Sequence, residues 1–211
     1  YFEFLSGIIN QNSNNLITGQ GVGTQAGSLT DRVTIGGGPG ATVEAWLNLN
    51  TGAPGDWNTN SGLGFAEILE NGRVTARSLN MGSTDSGGLD LRIDGGTLEL
   101  TGDIDFRNLG TANDKITFLD GVINGNADGV SGGTFFLRDS ATTAFDFQGG
   151  ILKGFATFNG TLTQDGGTVR VGNDAADFVS GDAPVTMTIT RNYDLNAGVL
   201  DLTLGDVAAL S

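Results

Sequence analysis

The segment 124–129 carries oxygen-bearing side chains at the spacing of a calcium-binding loop. It reads Asn124, Gly125, Asn126, Ala127, Asp128 and Gly129. Oxygen ligands at alternate positions and a glycine at the sixth match the start of such a loop, and calcium takes about six to eight oxygens. The EF-hand pattern also needs a carboxylate at the twelfth position, where this chain has Phe135. Two interpretations therefore stay open: a calcium site at Asn124, Asn126 and Asp128, and a plain turn.

Pairs of carboxylates could hydrolyse glycosides, because that reaction uses one acid and one base or nucleophile. Candidate pairs are Asp103 with Asp105 and Asp174 with Asp177. Alternate residues of a strand lie on one face, so Asp103 and Asp105 could stand side by side. The other interpretation is a solvated strand face. Because the chain has few basic residues to serve as a lyase base, we predict that the protein is not an enzyme.

The composition excludes several further classes of chemistry. The chain has no cysteine and no histidine, so it forms no disulfide and lacks the commonest ligands of zinc and haem. Apart from the candidate calcium site, we predict no cofactor. A net charge of −14 predicts that the protein binds no nucleic acid, because that binding relies on Lys and Arg. The sequence has no apolar run of about 20 residues, so we predict no membrane insertion.

Short segments of similar shape recur along the chain. Each has a polar residue, two small residues and then apolar positions, and they are Asp94–Leu100, Ser131–Leu137, Gln148–Leu152, Asp165–Val171 and Asn196–Leu202. The glycine pairs that begin at Gly132, Gly149 and Gly166 lie 17 residues apart. A coil of a parallel β-helix needs about this many residues, and its turns can vary in length. The repeats therefore predict strands stacked in successive coils.

Between the glycines, apolar and polar residues alternate, as in half-buried strands. Leu91 and Ile93 flank Arg92, for example, and Phe145 and Phe147 flank Asp146. We predict an all-β fold with very little helix, a right-handed parallel β-helix (β-solenoid). A β-sandwich or jelly roll is the alternative, because it also has many short strands. The prediction is one domain over residues 1–211, with irregular coils at 1–72, a long loop at 51–64, and regular coils at 73–211.

The segment Arg73–Asn108 carries a family resemblance. It contains Arg73-Val74-Thr75, Ser78-Leu79-Asn80-Met81-Gly82, Gly88-Leu89-Asp90-Leu91 and Gly95-Gly96-Thr97-Leu98. This order of short strands resembles the repeat of bacterial autotransporter passengers and of PEP-CTERM-associated β-strand repeat proteins. The stretch Thr188–Gly205 resembles the late coils of the same proteins. The resemblance implies an extracellular or cell-surface bacterial protein with a parallel β-helix and no enzymatic role.

Both ends of the sequence carry apolar strand patterns without a cap. The residues concerned are Tyr1, Phe2, Phe4 and Leu5 at one end and Leu200, Leu202 and Leu204 at the other. An uncapped solenoid exposes strand edges that recruit other strands. We therefore expect head-to-tail pairing between copies, which gives a filament when the contact does not close. Caps supplied by neighbouring segments are the other interpretation.

The predicted function is that of an extracellular structural protein, a surface or matrix component that polymerises with itself. Two other functions stay open. An adhesin or carbohydrate-binding passenger would bind extracellular polysaccharide, with Trp46 and Trp57 as candidate contacts. A polysaccharide-active β-helix enzyme would need several acids and a base along one face.

Overall fold

The computed structural model of the protein consists of strands, turns and bends in the part that it describes. That part comprises residues 2–4, 8–11, 15–18, 31–35, 43–47, 56–59, 63–80, 88–106, 115–126, 132–137, 145–171 and 186–202. These ranges contain no helix, which confirms the predicted all-β class. Among the same residues there is accordingly no helix long and apolar enough to cross a membrane.

The described ranges contain 21 strands. The first seven are β1 (Phe2–Phe4), β2 (Ile8–Gln11), β3 (Asn15–Thr18), β4 (Asp31–Ile35), β5 (Val43–Leu47), β6 (Asp56–Thr59) and β7 (Leu63–Leu69). The next seven are β8 (Gly72–Ala76), β9 (Leu79–Asn80), β10 (Gly88–Leu100), β11 (Ile104–Asp105), β12 (Lys115–Asn124), β13 (Gly133–Phe136) and β14 (Phe145–Phe147). The last seven are β15 (Ile151–Lys153), β16 (Phe155–Asn159), β17 (Leu162–Gln164), β18 (Thr168–Val171), β19 (Thr188–Ile189), β20 (Tyr193–Leu195) and β21 (Val199–Leu202).

All described strand pairs are parallel and fall into three stacks. The first stack has the order β1-β4-β7-β10-β12-β14-β17-β20. The second stack runs β2-β5-β8-β10-β12-β15-β18-β21, and the third runs β3-β6-β9-β11-β13-β16-β19. Strands β10 and β12 are long enough to belong to both the first and the second stack, which joins these two into one 14-stranded sheet.

The chain visits the stacks in a fixed order: first, second, third, and then the first again. We call one such passage a coil. Residues paired in the second stack are separated by coils of unequal length. The steps are 25 residues from Thr97 to Val122, 29 to Ile151, 17 to Thr168 and 31 to Val199. Because the pairing register survives these changes, the extra residues of the longer coils lie between the strands.

Alternate residues of the strands from β8 to β18 form buried columns. The inward column of the second stack is Val74, Leu98, Ile123, Leu152 and Val169, and none of these side chains is exposed. Burying a side chain of this size contributes about 1.5–3 kcal/mol. Residues between them, such as Glu99, stay half-buried. The alternation predicted from the sequence therefore continues from coil to coil as a shared core.

Phenylalanine rings of neighbouring coils stack along the core. Phe118 and Phe147 pair across the first stack, and their ring centroids are 5.3 Å apart with an angle of 13° between the planes. Phe106 and Phe135 stack in the same manner, with centroids 6.0 Å apart. Such aromatic pairs contribute about 0.5–1.5 kcal/mol beyond the area that they bury. The rings thereby add to the register of neighbouring coils.

Glycines let the coils approach closely at the corner between the first and second stacks. Gly121 has φ +101°, and a Cβ there would lie 2.0 Å from the carbonyl oxygen of Gly96. Gly167 has φ +68°, and a Cβ there would lie 2.5 Å from the carbonyl oxygen of Gly150. L side chains rarely adopt such φ values. This corner therefore requires glycine in successive coils.

The 17-residue step predicted from the glycine pairs is correct for one interval and wrong for the other. Gly149 and Gly166 precede β15 and β18, which pair at Ile151 and Thr168. Gly133 instead begins β13 of the third stack. A Cβ on Gly133 would lie 2.0 Å from the carbonyl oxygen of Gly102. Close backbone approach thus requires glycine at more than one corner of the coil. The sequence pattern alone does not show which corner a given glycine pair occupies.

The predicted loop at residues 51–64 contains strand structure. Strand β6 (Asp56–Thr59) pairs with β3 and β9 in the third stack, and β7 begins at Leu63. The prediction of one long loop was therefore wrong for these residues. The polar composition of the segment concealed a strand whose formation depends on pairing with strands on both sides.

Candidate functional site

Four large apolar side chains are exposed on β20 and β21, at the end of the first and second stacks. Leu195 is 48% exposed, Val199 56%, Leu200 38% and Leu202 54%. Among the residues whose burial the structure describes, no other large hydrophobic side chain is exposed. We call these four residues the apolar end surface.

Two residues of the apolar end surface, Leu195 and Leu200, continue columns that are buried one coil below. Leu195 pairs with Gln164, and Leu200 pairs with Val169; neither Gln164 nor Val169 is exposed. In the described ranges, β20 and β21 each pair with a strand on one side only. Strand edges of this kind present N–H and C=O groups that can pair with another strand. The end of the stacks thus combines an open edge with exposed core positions.

A buried amide ties this coil to the coil beneath it. Gln164 Nε2 donates hydrogen bonds to the carbonyl oxygens of Gly167, at 2.9 Å, and Val199, at 3.2 Å. The Tyr193 hydroxyl donates to Gln164 Oε1. Burial raises the pKa of Tyr193 above its ordinary value of 10.0. The polar groups of Gln164 are therefore partnered within the core, as buried polar groups require.

Two further polar contacts hold the outer side of the same coil. Arg170 Nε lies 2.8 Å from Asp201 Oδ2 in an ion pair between β18 and β21. Asn196 Nδ2 donates to Asp165 Oδ1 at 2.8 Å. An exposed ion pair alone contributes at most about 1 kcal/mol. Together with the buried amide, these contacts fix how the apolar end surface is presented.

The structure places the predicted assembly residues at both ends of the stacks. Leu200 and Leu202 belong to the apolar end surface, while Phe2 and Phe4 lie on β1, at the opposite end of the first stack. Tyr1, Leu5 and Leu204 fall outside the described residues. Leu195 and Val199 were not predicted. The alternation of Tyr193, Asp194 and Leu195 was the signal that could have identified Leu195.

The predicted calcium ligands Asn124 and Asn126 lie together at the end of β12. Asn124 is 8% exposed, and its Oδ1 accepts a hydrogen bond of 3.0 Å from the backbone N–H of Asn126. Asn126 Oδ1 is buried and accepts no hydrogen bond in the described structure. Asp128 falls outside the described residues, within which no group of three or more acidic, His or Cys side chains forms a metal site. The turn accounts for Asn124, and the calcium site stays a prediction.

Of the predicted carboxylate pairs, the structure describes Asp103 and Asp105. Asp103 Oδ1 accepts a 2.7 Å hydrogen bond from the backbone N–H of Thr134 on β13. This carboxylate therefore links neighbouring coils of the third stack. Asp105 follows in β11. Asp174 and Asp177 lie outside the described residues.

The candidate carbohydrate contacts lie on different stacks. Trp46 belongs to β5 of the second stack, and Trp57 belongs to β6 of the third. They are therefore positions on two faces and not neighbours in one strand pair. Binding of a polysaccharide at either tryptophan stays a prediction.

Comparison of the chain with protein-family models, with curated proteins and with solved structures gave no match.

Proposed function

We propose that this chain is an extracellular structural protein, a right-handed parallel β-solenoid that assembles end to end as part of a surface or matrix. Three parallel stacks visited in constant order support the solenoid architecture. The right hand is expected because crossover connections between parallel strands are right-handed in nearly all sheets. The resemblance of Arg73–Asn108 to repeats of secreted bacterial passengers supports the extracellular location.

The apolar end surface is the observation that carries the proposal. Among the residues whose burial the structure describes, the exposed large apolar side chains are confined to one end of the stacks. Covering a half-exposed leucine contributes about 1 kcal/mol. Strand addition contributes main-chain hydrogen bonds as well. A second strand edge docked on this surface would thus cover the apolar side chains and form main-chain hydrogen bonds with the open strand edge.

Sedimentation and electron microscopy of the purified chain test the proposal. We expect the wild-type protein to form elongated particles whose length increases with concentration. Leu195→Glu with Leu200→Glu should reduce assembly, because the joint would bury carboxylates without partners. Thr117→Glu with Thr157→Glu adds the same charge to half-buried side positions and serves as the control. Monodisperse wild-type monomers across concentration, salt and pH would refute the proposal.

A further inference from the structure

Paired residues can be followed from strand to strand through the described strands of the first and second stacks, and each such series of register partners is a column. In the first stack, one column is Phe4, Ile35, Ile68, Ile93, Phe118, Phe147, Gln164 and Leu195. In the second stack, one column is Ile9, Ala45, Val74, Leu98, Ile123, Leu152, Val169 and Leu200. Each column therefore has an apolar residue type at both of its ends.

We propose that the partner of the apolar end surface is the β1–β2 edge of a second copy, docked in parallel so that both columns continue without a shift. Leu195 would then pair with Phe4 of the next copy, and Leu200 with its Ile9. This inference rests on the proposed function and specifies its joint. Each strand of the joint would add to its stack as β20 adds to β17 and as β21 adds to β18.

The geometry of the stacks favours this arrangement over a symmetric joint between two apolar end surfaces. Every described pairing is parallel, and β1 and β20 stand at opposite ends of the same stack. A head-to-tail joint repeats a parallel pairing that the molecule already makes many times. A symmetric joint would be isologous, so it would set identical strands antiparallel. The side-chain columns of the two copies would then not be continuous.

The register also assigns neighbours outside the core. Asp194 stands between Tyr193 and Leu195, and Glu3 stands between Phe2 and Phe4. In the proposed joint, Asp194 of one copy therefore pairs in register with Glu3 of the next. Directly paired residues of neighbouring strands have Cα atoms about 4.8 Å apart, which is within the Cα separation that a disulfide spans. Because the chain has no cysteine, a disulfide at this pair can be designed without background.

Disulfide cross-linking between two singly substituted chains tests the register. One chain carries Asp194→Cys, and the other, labelled with heavy isotopes, carries Glu3→Cys. Oxidation of the mixture should give the mixed dimer at roughly tenfold or more above the control pair, because docking raises the local thiol concentration. The control combines Glu3→Cys with Thr163→Cys, which lies one coil below Asp194 and about 10 Å from the partner strand.

The outcomes separate this inference from the proposed function. If the wild-type protein assembles but two Asp194→Cys chains cross-link mainly to each other, the head-to-tail joint is overturned and end-to-end assembly still stands. Assemblies whose mixed dimer is no more abundant than the control pair would overturn the register. Should these substitutions prevent assembly, Asp201→Cys with Asn10→Cys tests the same register in the second stack. Wild-type monomers would refute the proposed function itself.

Discussion

The hydroxyl of Tyr193 donates a hydrogen bond to Oε1 of Gln164, so the last described coil is anchored to its neighbour through an amide within the core. Gln164 occupies the column position that Phe147 holds one coil below. At this position the column changes from an apolar side chain to a polar one. The three hydrogen bonds of Gln164 replace ring stacking as the contact that aligns the coils.

Gln164→Leu should destabilise the last coil by about 1–3 kcal/mol. The substitution leaves the Tyr193 hydroxyl and two backbone carbonyl groups without their partner, and unsatisfied buried groups cost this much. Hydrogen exchange at β20 and β21 measures the local effect. Gln164→Leu with Tyr193→Phe should recover part of the loss, because one orphaned group is removed. Strictly additive effects would contradict the coupling of the two residues.

Alkaline pH should loosen the same coil. Burial raises the pKa of Tyr193 in the folded protein above that of the unfolded chain. The neutral phenol therefore contributes stability that is fully present below pH of about 10 and is lost as the pH rises through the folded pKa. Ultraviolet titration of tyrosinate, with Tyr193→Phe to isolate the signal of Tyr1, measures the shift. A pKa for Tyr193 at or below 10.0 would contradict this prediction.

A leucine-to-alanine substitution should lower the free energy of unfolding by different amounts at two positions of the same column. Leu152→Ala removes a side chain with no exposed surface and should cost about 2–5 kcal/mol. Leu200→Ala removes a side chain that is 38% exposed and should cost less in dilute protein. Urea unfolding at several protein concentrations measures both. If Leu200 is covered in assemblies, its cost should rise with concentration, whereas that of Leu152 should not.

The corner glycines offer a matched test of close approach. Gly95 and Gly121 both have positive φ, but a Cβ would lie 3.2 Å from its nearest neighbour at Gly95 and 2.0 Å at Gly121. Each alanine substitution should cost more than about 1 kcal/mol because of its φ. Gly121→Ala should cost considerably more, since backbone has to move. Thermal unfolding measures the difference, and equal losses would show that φ alone determines the cost.

Charge reversal at Asp194 and at Glu3 should distinguish a head-to-tail joint from a symmetric joint. In the head-to-tail joint, Asp194→Lys replaces a repulsion with an attraction to Glu3 and should tighten assembly by about two- to tenfold at low salt. Glu3→Lys should act in the same direction, and the two substitutions combined should cancel. Sedimentation at low and high salt measures these changes. In a symmetric joint, Asp194→Lys would leave like charges facing each other and Glu3→Lys would have no effect.

The alternation of apolar and polar residues predicted the core well because it reports directly on burial. Leu91 and Ile93 are buried on either side of the half-exposed Arg92, as expected. The third stack was harder to predict. Strand β11 has two residues, which is too short for a period to be visible, and β6 is polar. Their strand structure follows from pairing with neighbouring coils, which no local pattern shows.

The candidate site was predicted in part for a related reason. Leu200 and Leu202 follow an alternating pattern, and they were identified from it. Gln164 was not, because a glutamine beside Thr163 reads as an ordinary outward residue. Its burial depends on the groups that three other residues supply, and these lie 3 to 35 positions away along the chain. Partnered core polar groups of this kind become visible only when the coils are stacked.

The coil that leads from Ile151 to Thr168 has 17 residues, and its neighbours are longer while their strands keep the same register. Chain length between strands is therefore free to vary, whereas the strands themselves are not. A peptide inserted in such a connection would be displayed beside the stacks without altering the core. Copies joined end to end would repeat that display at regular intervals. The displayed connections and the stacked strands would then be able to change in sequence independently of each other.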